Sequence, residues 1–387
     1  MAKLICSKCK QVFKQAEKAR CPKCGSTAPH VYDFENSEEY LDQQVPLILE
    51  ERKEAGLEGL VGGLDSVLIN VEAEMQMKAV REILNSTGLR ITDAFGKGSK
   101  RTYVLGGTGG ADLLITIRDD ENPFQEMNEH PRTSHLPNTR LETLVFETSD
   151  VNKYLDIQRS RGVSFMTEDV VHGEGYSFVQ TTPSRFTGNS LGFIQWLGSR
   201  KDYRQLSSDP LDWDVEPKKE FLKKIGKLDH AATRIRAEHR DLAILELISL
   251  TNYHFDFAIY VKVFNSITSV ARLSQEDFAM VFTSGISNYS GESSGPTETF
   301  VHNYGPRVHH LAFQTEDIEE TFQALRNDGQ KFLIDLVGSP DEGLRQTFTE
   351  PFPSTLLVNE YIHRYGDFDG FFTKNNVTLL TEATGRQ

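Results

Sequence analysis

The sequence predicts an α+β protein in which one β-α-β-β-β module occurs four times, behind a small metal-binding ribbon at the amino end. Three observations predict it: the chain repeats itself in two halves, each half divides into two modules opening on a strand and a helix, and all four cysteines fall within the first 24 residues. With 387 residues, 38% hydrophobic and 25% charged, the composition is that of a globular protein of two or three domains. The first residues lack the apolar run of a signal peptide, and no stretch is long and apolar enough for a membrane span, so a cytoplasmic location without membrane contact is expected. A net charge of −14 argues against nucleic acid as a partner of the whole chain.

The elements follow in order. Residues 1–33 hold Cys6-x2-Cys9 and Cys21-x2-Cys24, two thiolate pairs able to close a tetrahedral Zn(II) site in a segment too poor in apolar residues to fold alone. Two disulfides would suit an oxidising compartment, which the cytoplasmic expectation disfavours. The same segment is basic, with Lys3, Lys8, Lys10, Lys14, Lys18, Arg20 and Lys23 against Glu17, and is expected to contact a protein partner or another copy of the chain in a homo-oligomer. Residues 34–60 read as a helical or irregular linker. In 61–200 a strand at 66–71, a helix at 74–86 and strands at 103–105 and 112–117 make one module; a strand at 141–147, a helix at 151–161 and a strand at 191–197 mark the next. Residues 201–227, charged and containing Pro210 and Pro217, read as a connection. In 228–387 the pattern returns, with strands at 229–236, 308–314 and 355–363 and a helix at 316–328. The glycines at 106–110 precede a strand and lack the lysine of a phosphate loop, so they read as a hairpin turn.

Setting Leu64-Asp65-Ser66 against Leu228-Asp229-His230, Arg140-Leu141-Glu142-Thr143-Leu144 against Arg307-Val308-His309-His310-Leu311, and Gln195 against Glu360 aligns the halves. Ser66, Thr143 and Gln195 lie 77 and 52 residues apart, and His230, His310 and Glu360 lie 80 and 50 apart. Two histidines and a carboxylate are the donor set with which non-haem Fe(II) oxygenases hold one face of the metal, so the second half is expected to carry the chemistry and the first to act as scaffold. Strand alternation puts His309 with Leu311 and Phe313 on an apolar face and His310 with Val308 and Ala312, which selects His310 as the ligand.

At these residues the chain resembles the 4-hydroxyphenylpyruvate dioxygenases of the vicinal oxygen chelate superfamily. The resemblance runs from about residue 60 to the end and rests on Asp229-His230, on His310-Leu311-Ala312-Phe313 with Thr315-Glu316-Asp317-Ile318, on Leu344-Arg345-Gln346-Thr347-Phe348-Thr349 and on Glu360-Tyr361-Ile362-His363-Arg364. It implies modules paired into two half-open barrels, Fe(II) in the second, and oxidative decarboxylation and hydroxylation of an aryl or related α-keto acid with dioxygen. It further implies an active-site role for Gln346 and a carboxy-terminal gate carrying Phe371 and Asn375. Where the family has a glutamine before the second histidine, this chain has Thr297 or, with one gap, Glu298, which makes Glu298 a candidate substrate contact. Extradiol-type or hydroxymandelate-synthase-like oxygenation, or a non-catalytic metal- or ligand-binding protein with an interacting zinc ribbon, are the other readings of the same residues.

Overall fold

The computed structural model describes residues 35–118, 121–199, 201–214, 217–291, 294–366, 368 and 370–387, and ahead of them the backbone of three short strands. These strands, β1 (Lys3–Cys6), β2 (Val12–Lys14) and β3 (Pro29–Tyr32), pair antiparallel in the order β2-β1-β3. Cys9, Cys21, Cys24 and the side chain of Cys6 lie outside the described residues, and the expected zinc site lies there with them.

After helix α1 (Glu39–Glu54), four modules share one plan. The first is β4 (Val61–Asn70), α2 (Gln76–Leu84), β5 (Arg90–Lys97), β6 (Lys100–Gly106) and β7 (Asp112–Thr116); the second is β8 (Arg140–Thr148), α3 (Val151–Ser160), β9 (Val171–His172), β10 (Tyr176–Gln180) and β11 (Ser190–Trp196). A short β12 (Asp209–Pro210) precedes the third module, which comprises β13 (Ile225–Arg234), α4 (Arg240–Leu250), β14 (His254–Val261), β15 (Ser266–Arg272) and β16 (Ala279–Ser284). An inserted helix, α5 (Pro296–Tyr304), leads to β17 (Arg307–Thr315), α6 (Ile318–Asn327), β18 (Val337–Ser339), β19 (Leu344–Phe348) and β20 (Val358–Arg364), and α7 (Lys374–Ala383) follows. Local chemistry sets the boundaries. Asp150, Asp317 and Thr373 cap α3, α6 and α7 by accepting from the backbone N–H groups of Lys153, Glu320 and Asn376, and Pro296 starts α5 where a missing N–H costs nothing.

In every module the first strand pairs parallel with the last: β4 with β7, β8 with β11, β13 with β16, β17 with β20. The first strands of adjacent modules then pair antiparallel, β4 with β8 and β13 with β17, giving two curled half-barrel sheets of nine and eight strands. Both central pairings carry the same bulges. Asp65 and Asp229 are the extra residues on β4 and β13, and Glu142 and His309 are the extra residues on β8 and β17.

The registers correct two expectations. Thr143 pairs with Ser190 as His310 pairs with Val358, so the counterpart of Glu360 is Gly192 and not Gln195. Gln195 faces the other way, its Oε1 accepting from the backbone N–H of Val151 at the start of α3. The bulge at His309 also breaks the assumed alternation: Val308 joins Leu311 and Phe313 in the core outside the barrel, and His309 lies beside His310 instead of with that apolar set.

One apolar core runs between the sheets and the helices of both halves, with Tyr154, Phe146, Phe193 and Tyr253 at its centre. Tyr154 Oη of α3 donates to the carbonyl of Leu250 at the end of α4 at 2.8 Å, so the helices tie the halves together as well as covering them. The segment expected as a linker is part of this body. Glu38 pairs with buried Arg240 at 2.6 Å, and Arg52 on α1, only 4% exposed, donates to the carbonyls of Ile248, Thr251 and Tyr253 at 2.8–3.2 Å, closing the carboxy end of α4. Positive charge there also complements the helix dipole. Replacing Arg52 by Met should lower unfolding stability by about 3 kcal/mol, because charged donors are removed from buried carbonyls. Glu58→Gln, which removes only the half-exposed partner of Arg52, should cost under about 1 kcal/mol, as judged from urea midpoints.

Candidate metal centre

Three neighbouring strands of the second half-barrel deliver His230 (β13), His310 (β17) and Glu360 (β20) to one point on the inner wall. All three are buried, and one ligand atom from each lies within 4.8 Å of the others. Glu360 Oε2 stands 3.1 Å from the Nε2 atoms of both histidines. The other carboxylate oxygen, Oε1, accepts from Gln346 Nε2, whose amide oxygen in turn accepts from Asn376 Nδ2 at 3.0 Å. Gln346 therefore holds Glu360 so that a single oxygen faces the imidazoles.

Each histidine is fixed from behind. Asp229 Oδ2 lies 2.8 Å from His230 Nδ1 and accepts that proton, so that Nε2 would be the atom to face a bound ion at the cluster. Asp229 is itself held by Arg364 at 2.6 and 3.1 Å and by Gln314 at 2.9 Å. On the other side His310 Nδ1 meets His309 Nδ1 at 2.8 Å, and His309 Nε2 meets Gln387 Oε1 at 2.8 Å. With His310 Nδ1 as donor, His309 carries its proton on Nε2 and donates it to Gln387, and His310 Nε2 is free to accept. Burial, with Arg234 nearby, holds His309 well below the usual imidazole range and so neutral.

The charges are matched. Burial opposes ionisation of Glu360, yet the two histidines outweigh it and hold the carboxyl down at about 2. His230 is likewise penalised by burial, but Glu360 and Asp229 raise it to about 9. Two carboxylates thus favour positive charge at His230 Nε2, the role a divalent ion would take. The donor set fits such an ion: two imidazole nitrogens and one monodentate carboxylate, each oriented by a further hydrogen bond, suit an octahedral first-row metal.

The cavity at this point is small, about 50 Å³, and is bordered by Phe372 and the α7 segment. Phe371 and Phe372 set their rings 5.5 and 5.2 Å from that of His230, and Phe372 lines the cavity. Arg234 also lines it. That guanidinium is buried, stacks 4.6 Å over Phe300, is lowered to about 9 by burial, and leaves Nη1 without a hydrogen-bond partner among the described residues.

Two expected site residues lie elsewhere. Glu298 sits on α5 with its carboxylate turned away from the cavity, where Oε1 accepts from the backbone N–H groups of Ala237 and Gly285 at 2.9 Å each; Thr297 takes the cavity-lining place. Asn375 reaches outward to Glu342 at 3.1 Å, and the inward residue of that turn is Asn376. Arg234, Phe372, His309 and Gln387 were not singled out from the sequence. Arg234 carried a signal, lying four residues beyond His230 on a strand whose alternate residues share a face; Gln387 carried none.

The fold and this cluster together define a paired half-barrel protein with a buried two-histidine, one-carboxylate centre able to hold a metal. Comparison with solved structures agrees on the fold. A mutant of 4-hydroxymandelate synthase from Streptomyces coelicolor superposes with a TM-score of 0.64 at 18% identity, over 84% of this chain and 99% of that one. A xylose isomerase-like TIM barrel/4-hydroxyphenylpyruvate dioxygenase fusion protein superposes with a TM-score of 0.58 at 16% identity, over 84% of this chain and 53% of the fusion. No protein-family model and no curated protein matches the sequence. The likeness is one of fold alone.

Glu298 yields a prediction independent of any metal. Burial raises its carboxyl from the ordinary 4.5 to about 7 in the folded chain, so the native state binds a proton that the unfolded state has lost across this interval. Its contribution to stability is therefore complete below about pH 4.5 and gone once the pH has risen past about 7. Glu298→Gln keeps an acceptor for both amides and should flatten the stability decline across that window, as read from urea midpoints against pH.

Proposed function

We propose that the chain is a non-haem Fe(II)-dependent dioxygenase that oxidatively decarboxylates and hydroxylates an aryl or related α-keto acid. One observation carries this reading: His230, His310 and Glu360 converge as three oriented, buried donors in a half-barrel of the fold shared with 4-hydroxymandelate synthase and a 4-hydroxyphenylpyruvate dioxygenase fusion. The iron, when bound, would supply the binding and activation of dioxygen. The protein residues do the rest. Gln346 and Asp229 fix the orientation of Glu360 and His230. Arg234 offers an unpartnered N–H to an anionic oxygen of the substrate, and Phe371 and Phe372 exclude water. A cavity of about 50 Å³ does not hold an aryl keto acid, so substrate entry requires Phe372 and the start of α7 to move outward.

The likeness to the mandelate synthase favours one second reading within the class, hydroxylation on the side chain instead of the ring, and product analysis separates the two. For the amino end we propose Zn(II) bound by Cys6, Cys9, Cys21 and Cys24 as a structural knot that contacts a partner or another copy of the chain.

Anaerobically reconstituted protein should hold two metals per chain, one resistant to mild chelation and one lost on His310→Ala. With 4-hydroxyphenylpyruvate and related arylpyruvates it should consume oxygen and release carbon dioxide. An iron-loaded protein inert toward the whole panel, or one holding only the cysteine-bound metal, sinks the reading. Asp229→Asn should leave the fold intact and weaken metal affinity at the triad about 10–100-fold, measured by competition with a chromophoric chelator.

A further inference from the structure

The half-barrel that has Ser66 and Thr143 where the other has its two histidine ligands is hollow. Its inner wall encloses a cavity of about 380 Å³, against about 50 Å³ at the metal centre. The two cavities occupy the same place in the duplicated fold. With Ser66 set on His230, the strand registers put Asn70 on Arg234, Thr102 on Thr268 and Thr116 on Thr283, and each of these six lines the cavity of its own half. The halves differ in what fills them. Phe371, Phe372 and α7 press into the second, and among the described residues no helix does so in the first.

The lining chemistry names a ligand class. Lys100 stands where the second half has Ser266, and Arg118 enters the same cavity. Burial raises the Glu142 carboxyl, and Arg118, Arg140 and Lys100 oppose that shift; Arg118 Nε donates to its Oε1 at 3.1 Å. Two cations thus face one carboxylate among the charged lining groups. Asp65 and Asp112 lie behind Tyr203, both accepting from its hydroxyl, and Lys201 pairs with Asp65 at 2.7 Å. Phe95, Tyr176 and Phe178 supply an aromatic wall, and the buried Asn70 Oδ1, without a partner among the described residues, supplies an acceptor. The volume is within the range of small-molecule sites, about 300–1,000 Å³.

We propose that the first half-barrel is a second, metal-independent binding site for a small aromatic monocarboxylate, whose carboxylate meets Lys100 and whose ring packs on Phe95, Tyr176 and Phe178. This site is independent of the oxygenase reading. The probe is 4-hydroxyphenylacetate, which has no keto group, titrated calorimetrically into full-length protein carrying His310→Ala to disable the metal centre. One molecule per chain should bind, and with the same affinity in the unsubstituted protein; tyramine, its cationic counterpart, should not. Lys100→Gln should weaken binding at least about tenfold, since one ion-paired contact of about 1.4 kcal/mol corresponds to that factor, and Val145→Phe should abolish it by filling the cavity. Far-UV circular dichroism confirms folding, and Lys100, being only partly buried, keeps the test decisive if Val145→Phe unfolds. Absence of binding, equal binding of tyramine, indifference to Lys100→Gln, or binding lost with His310→Ala would each overturn the proposal.

Discussion

A carboxylate 1% exposed inside a half-barrel is the constraint on which the second half of this protein depends. Glu360 is shut away from bulk solvent, and an unpaired buried charge would cost several kcal/mol or force protonation. The chain meets that demand with two imidazoles on one oxygen and a glutamine amide on the other. The demand then spreads outward. His230 needs Asp229, Asp229 needs Arg364 and Gln314, His310 needs His309, and His309 needs Gln387. Every polar group added to satisfy one neighbour has to be satisfied in turn, which is why the cluster rests on residues drawn from β13, β17, β19, β20 and the carboxy-terminal helix region.

The first half answers a different need, rigidity of the strands that carry the cluster. Arg140 and Arg307 occupy equivalent places at the starts of β8 and β17 and reach across to each other's halves. Arg140 donates to the carbonyl of Pro306, and Arg307 donates to that of Thr139 at 2.8 Å. These reciprocal contacts tie the strand bearing His310 to its counterpart in the first half. Burial penalises both guanidiniums, and the carbonyl contacts offset part of that penalty. A scaffold without metal ligands can therefore still set the position of one.

Much of this was legible in the sequence because duplication prints the same pattern twice. The β-α-β-β-β period and the matching of Ser66 with His230 and of Thr143 with His310 could be read from spacing, whereas Glu360 was set against the wrong counterpart. What could not be read depended on backbone geometry with no residue signature. The bulge at His309 shifts the strand by one position, so an alternation argument grouped His309 with the wrong neighbours. On β11 a three-residue error in alignment chose Gln195 over Gly192, since a glutamine looks more like a lost glutamate than a glycine does. Glu298 and Asn375 failed for a similar reason: each lies one residue from the inward position, Thr297 and Asn376, and on a helix one residue turns a side chain by about 100°.

The bulges explain how one half could carry the donor set and the other lack it without a change of fold. In both halves the extra residue stands beside an inward one: Asp229 beside His230, His309 beside His310, Asp65 beside Ser66, Glu142 beside Thr143. In the second half these extra residues orient the imidazoles. In the first, where the inward residues carry no imidazole, the same positions have found other partners: Asp65 takes the indole N–H of Trp196 at 2.8 Å and the hydroxyl of Tyr203 at 3.1 Å, and Glu142 takes Arg118. A buried carboxylate cannot be left idle when the group it served is absent, so those partners had to come from within the barrel or its rim. Arg118 is drawn inward by that requirement, and it is this pairing, together with the absence, among the described residues, of a helix packed into the barrel as α7 is in the second half, that leaves the first half-barrel both polar and roomy.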